Sequence, residues 1–167
     1  SSQAGLNKTD DTATNPERYI WIDDVPIMKC MKVSVSGSNV IVQEGVIKSY
    51  DVGNSLKINI GGVISTVVIT KITSAISFII SSASLSGVGY AYIGANYLSV
   101  VTYNSSTKQL TPISNDFNSF SGYIESGEKL FLSDGSKVHI DEVGSSPTII
   151  EELSEGINYI VCWNSIG

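Results

Sequence analysis

The chain has 167 residues, 42% of them hydrophobic and only 16% charged, with a net charge of -6. That length suits one compact domain burying about 70% of the surface its unfolded form exposes. The ten basic residues are scattered rather than gathered on one face, which argues against a nucleic-acid partner, and no run approaches the ~20 apolar residues of a membrane-spanning helix, so a soluble chain without membrane insertion is expected.

The charged fraction falls below the roughly 25% of an ordinary soluble domain, and Ser and Thr fill much of the difference. A hydroxyl-rich surface of this kind suits secreted, cell-surface or virion proteins. The opening residues lack the basic and then apolar stretch of a signal peptide, so export would involve a leader removed before Ser1 or another route.

Residues 1–18 (SSQAGLNKTDDTATNPER) are polar and non-periodic, and cannot bury enough apolar surface to offset the entropy of ordering them. They read as an extended N-terminal arm that lies against a partner subunit or along its own domain, with a β-domain over 19–167. Residues 19–23 (YIWID) open the strand pattern, followed by 27–35 (IMKCMKVSV) and 39–43 (NVIVQ), a pair joined through Ser36, Gly37 and Ser38. Apolar residues fall on both faces of 28–35, so one face should rest on the core and the other be partly covered, for instance by a neighbouring subunit.

After Gly45 and Gly53 comes the clearest unit, in which 56–60 (LKINI) and 63–70 (VISTVVIT) flank Gly61-Gly62, a pair suited to the positive φ of a two-residue hairpin turn. Residues 75–81, 89–94 and 97–103 continue at spacings typical of sandwiches and barrels. A turn at 104–108 precedes 111–122 (TPISNDFNSFSG), which lacks a strand pattern and should be the longest loop. Residues 129–133 and 136–140 flank Asp134-Gly135, a second hairpin signal. A short helical turn is expected over 147–154, because Pro147 at its start and Glu151-Glu152 in its first turn suit a helix N-terminus. Residues 157–163 (INYIVCW) form the last strand. No repeat of fixed period occurs. The expected fold is therefore all-β, a single antiparallel β-sandwich or jelly-roll domain behind the arm.

Catalysis through imidazole would have to use His139, the only histidine, which sits in the strand alternation SKVHIDE; no Gly-x-Ser-x-Gly elbow accompanies it. A strand-surface or partly buried histidine is the plainer reading, and the chain is not expected to be an enzyme. One His and two distant Cys do not make a zinc site, and no cofactor is implied. The pairs Asp10-Asp11, Asp23-Asp24, Asp141-Glu142 and Glu151-Glu152 put adjacent carboxylates on opposite strand faces, so they read as solvated charge. Asn115, Asp116 and Asn118 lack calcium-loop spacing and read as turn chemistry.

Cys30 and Cys162 are candidates for a disulfide closing a loop of about 130 residues, worth up to ~5 kcal/mol in the chain-entropy model, or are two buried free thiols. Tyr90 and Tyr92 share a strand face, with Tyr97 and Tyr103 on the next run; exposed rings of this kind could stack on sugars or supply subunit contacts, and buried ones would serve a core. Asn7 and Asn104 begin triplets that a secretory pathway could glycosylate.

The runs VSVSGSNVIVQEGVIKS, GVGYAYIGANYLSVVTYNSSTKQLTP and SGYIESGEKL together resemble bacteriophage tail-fibre and virion-decoration proteins over residues 33–132. The resemblance lies in Ser/Thr-rich strands, a Tyr-x-Tyr-Ile strand and closely spaced hairpins. It implies a non-enzymatic structural protein on a virion surface, partnered by other copies of itself and other virion or surface-assembly proteins, and by host glycans where it touches a receptor. Exposed strand edges and the arm would pair with those copies. A secreted adhesin, pilin-like subunit or carbohydrate-binding module, extracellular or on a cell surface, is the alternative; a hydrolase using Asp and Glu is a third.

Overall fold

The computed structural model describes residues 28–122 and 124–164. The arm over 1–18, the strand expected over 19–23, Asn7 and the pairs Asp10-Asp11 and Asp23-Asp24 lie outside the described residues.

The strand signals are met as antiparallel strands. β1 (Lys29–Ser36) and β2 (Asn39–Glu44) make the first hairpin, β3 (Ser55–Ile60), β4 (Val63–Ser74) and β5 (Ser77–Ile80) form a meander, and β6 (Ser86–Ile93) returns between β1 and β3. Because β2 also pairs with β5, the order β1-β2-β5-β4-β3-β6 closes into a barrel. Its interior is filled by the inward row of each strand, including Met31, Val33, Leu56, Ile69 and Phe78, all nearly inaccessible to solvent.

Gly61 and Gly62 take φ of 60° and 91°, the turn geometry their sequence implies. Closure is tightest where β6 passes β3. A Cβ at Gly89 would lie 2.4 Å from the Asn59 carbonyl oxygen and 2.7 Å from the Ile60 side chain, so only glycine lets the two backbones approach.

The remaining strands, β7 (Tyr97–Asn104), β8 (Gln109–Pro112), β9 (Lys129–Leu132), β10 (Lys137–His139) and β11 (Tyr159–Trp163), form a half-barrel in the order β10-β9-β11-β7-β8. One face holds a second core around Trp163, on which Phe120 stacks at 4.7 Å with Tyr97 at 5.6 Å. The opposite face carries Leu98, Val100, Ile160 and Cys162, which pack on Cys30 and Tyr92 of the barrel's outer surface. The second apolar face expected on 28–35 is thus covered by the chain's own sheet.

The all-β antiparallel class is therefore met, but the single sandwich or jelly roll is not confirmed, since the strands divide between a closed barrel and a half-barrel. Alternation fixes which residues face inward; it does not say that β6 finds both β1 and β3. The helical turn expected over 147–154 does not form. Residues 147–150 instead run as a strap across the two edges of the half-barrel. Leu110 N–H donates to Pro147 O at 2.8 Å and Ile149 N–H to Lys108 O at 3.0 Å on the β8 side, and Ile150 N–H donates to His139 O at 3.0 Å on the β10 side. These bonds satisfy backbone groups that a helix would have paired internally. The 3-10 turn Ser49–Asp51 was not anticipated. It places Asp51 against Lys29 in a buried ion pair of 2.8 Å, with the Lys48 backbone N–H also donating to the Asp51 carboxylate. No helix among the described residues is long and apolar enough to cross a membrane.

Two substitutions separate these terms. Asp51→Ala leaves the Lys29 ammonium buried without its carboxylate and is expected to cost about 3–5 kcal/mol. Tyr103→Phe removes a buried hydroxyl that has no hydrogen-bond partner and is expected to leave stability unchanged or raise it by about 1 kcal/mol. Urea midpoints measured by circular dichroism decide both.

Candidate functional site

Of the four tyrosines, Tyr92 and Tyr103 are buried, the first between barrel and half-barrel and the second inside the half-barrel core. Burial, with a smaller contribution from Cys162, pushes the Tyr92 phenol above its ordinary pKa. Tyr90 and Tyr97 are half-buried and already hold aromatic partners, Tyr90 edge-on to Phe117 at 5.3 Å and Tyr97 against Trp163. The sequence places Tyr90 and Tyr92 together on one outward face, as expected, and the half-barrel with loop 113–122 covers that face. The loop is held by Asn118, whose N–H donates to Leu98 O at 3.0 Å and whose Oδ1 accepts from Leu98 N–H at 3.0 Å. Asn59 Nδ2 fixes it to the barrel through Asp116 O at 2.9 Å.

Cys30 on β1 and Cys162 on β11 come together in the same layer, both buried and both free thiols. The Cys30 sulfur lies 3.5 Å from the Phe131 and Ile160 carbonyl oxygens. Phe131 is the cross-strand neighbour of Cys162, so the two thiols occupy one spot of the layer. The adjacent Cys162 thiol first, then burial, push the Cys30 pKa well up.

A cleft of about 360 Å³ opens where the barrel meets the half-barrel, lined by Glu44, Val46, Ser133, Asp134, Asn158 and Tyr159 among others. A smaller one of about 170 Å³ shares Val46, Ser133 and Asp134 and reaches Met28, Lys48 and Tyr50. Ser133 Oγ bridges the two halves by donating to Glu44 at 2.7 Å. The Ser136 hydroxyl and then its backbone N–H hold the Asp134 carboxyl below its ordinary pKa. This rim was not legible in the sequence, because Glu44 and Asp134 are brought together only by the packing of the two halves.

His139 ends β10 half-buried, and its ring Nδ1 lies 2.5 Å from Glu151, the residue directly after the strap, while its backbone N–H donates to the same carboxylate at 2.7 Å. The pair fastens the strap to β10. Burial pushes the Glu151 carboxyl up, but the hydrogen bonds from the His139 ring and backbone outweigh it and hold the group below its ordinary value. Asp141 and Glu142 are exposed, and Asn104 uses its side-chain oxygen to receive the Ser106 and Thr107 N–H groups in its turn. No group of three or more His, Cys, Asp or Glu among the described residues could hold a metal ion.

The barrel's outer face is not covered along its whole length. Ser34 of β1 pairs with Ile41 of β2 on one side and Val88 of β6 on the other, so Ile41 and Val88 flank a serine in one outward row; they are 48% and 53% exposed. Across β3, Ile64 of β4 pairs with Asn59, which pairs with the outward Tyr90 of β6, so Ile64, 45% exposed, lies on the same outer face as Val88. This apolar row lies on the same face as Cys30 and Tyr92, beyond the footprint of the half-barrel.

Compared with known proteins, the chain matches no family model, no curated protein and no solved structure.

Tyr92→Ala is expected to cost about 3–5 kcal/mol, as a core aromatic does, in urea unfolding of the purified chain; an unchanged midpoint would contradict its place in the layer. Because the folded-state pKa of Glu151 is depressed, its stabilisation is present above the ordinary glutamate pKa and lost as pH falls through the lowered value. Glu151→Gln should flatten the loss of stability that wild type shows on acidification from about pH 5 to pH 3, measured as urea midpoints across that range.

Proposed function

We propose that this chain is a non-enzymatic structural subunit of an extracellular assembly, a phage virion component such as a fibre, spike, collar or decoration protein, acting through subunit contacts. One observation carries the reading: the exposed apolar side chains of Ile41, Val88 and Ile64 on the uncovered part of the outer barrel face. Rows of large apolar side chains in water favour burial against a partner, at roughly 25 cal/mol per Å² of apolar surface covered.

The expected route of association through strand edges gives way to a side-chain one. Among the described residues the barrel strands pair on both sides, and the strap over 147–150 occupies the outer edges of β8 and β10. A neighbouring copy would therefore meet the outer barrel face rather than extend a sheet. A virion surface is the proposed location, on the resemblance of residues 33–132 to tail-fibre and decoration proteins. Glycan contact by Tyr92 and Tyr103 is disfavoured by their burial.

Light scattering of the full chain tests this. Wild type should be oligomeric at micromolar concentration, while Ile41→Glu and Val88→Glu, on exposed positions, should give folded monomers with an unchanged circular dichroism spectrum. A wild-type chain that stays monomeric at every concentration overturns the proposal, and glycan-array binding abolished by Asn158→Ala would put a carbohydrate-binding module in its place.

A further inference from the structure

We infer that Cys30 and Cys162 form an intramolecular disulfide site that clasps the barrel to the half-barrel. The inference stands apart from the proposed assembly role and rests on the packing of the layer. Cys30 is on an outward position of β1, directly opposite Tyr92 of β6, and points out of the barrel. Cys162 is on β11, directly opposite Phe131 of β9, and points out of the half-barrel core. The Cys30 sulfur reaches the carbonyl oxygens of Phe131, across from Cys162, and of Ile160, two residues before it on the same face. Two sulfurs from strands far apart in sequence thus meet inside one apolar layer.

Neither thiol has another assigned task. No metal-binding cluster includes them among the described residues, and neither is exposed to solvent. The Cys162 thiol is the largest single influence on the ionisation of Cys30, which agrees with direct contact. Full burial and a raised pKa keep the pair inert toward oxidants while the fold is closed, because the attacking species is the thiolate. The bond would therefore form during folding or on transient opening of the layer. The reaction is thiol–disulfide exchange with a small disulfide such as oxidised glutathione: each cysteine loses a proton, one S–S bond forms between Cys30 and Cys162, and the glutathione disulfide accepts the two electrons and is released as two thiols.

A clasp at this spot would act on the unfolded state by tying together residues near both ends of the β-domain. It would also keep the layer from opening without touching the outer barrel row used for association.

The test is refolding of the full chain from urea in a glutathione redox buffer, followed by denaturation, alkylation and intact-mass measurement. The expected product is a monomeric covalent species lacking the mass of two hydrogens and taking up no alkylating agent. It should melt several degrees above the same chain refolded in dithiothreitol, with the difference abolished in the Cys30→Ala/Cys162→Ala double variant. Full alkylation of both cysteines in correctly refolded protein overturns the inference, as does a disulfide that links two chains. The double variant keeps small apolar side chains in the layer, so its circular dichroism separates loss of the bond from loss of the fold.

Discussion

The contact between one outer face of the barrel and one face of the half-barrel is the constraint on which the rest of the molecule depends. Each half has its own core, but the third cluster, around Cys30, Tyr92, Leu98, Val100, Ile160 and Cys162, decides where the halves sit. That layer buries the paired tyrosine of β6, brings the two cysteines together and sets the cleft walls at Glu44 and Asp134. Polar ties at its margin, Ser133 to Glu44 and Asn59 to Asp116, fix its rotation. Apolar burial supplies attraction without direction, and hydrogen bonds of this kind supply direction with modest net energy.

Much of the local structure was legible because it is written in short range. The Gly61-Gly62 and Asp134-Gly135 turns and the alternation around them specify hairpins through neighbours in sequence. Barrel closure was not legible, since β6 must pair with β1 and β3 across long separations and the feature that permits it, the bare Cα of Gly89 against Asn59, looks like any strand glycine. Pro147 and the two glutamates suggested a helix start, yet the chain there meets two unsatisfied sheet edges and bonds to them instead. Tertiary partners outweigh a weak local preference when they satisfy the same backbone groups.

For the candidate sites, orientation was legible and cover was not. Alternation says correctly that Tyr90 and Tyr92 share an outward face, but whether that face meets water, a sugar, another subunit or the chain's own sheet depends on residues some distance away. Cys30 and Cys162 likewise read equally as a disulfide or as two separate buried thiols until β1 and β11 are stacked. The exposed Ile41 and Val88 gave no signal in sequence, because a valine on the outer row of a strand looks the same as one on the inner row once both rows carry apolar residues. The folded chain leaves this stretch of one face open while using the remainder of it internally, and under the proposed assembly role that division would place association on side chains rather than on strand edges.

The central claim is that the interlayer contact makes barrel and half-barrel one cooperative unit. Native-state hydrogen exchange tests it most directly. Amides of β1 and β6 on one side of the layer and of β7 and β11 on the other should be the slowest to exchange and should open at a common free energy, that of global unfolding. If the half-barrel amides exchange through a separate, lower-energy opening while the barrel stays protected, the two halves are independent and the layer does not carry the role given to it.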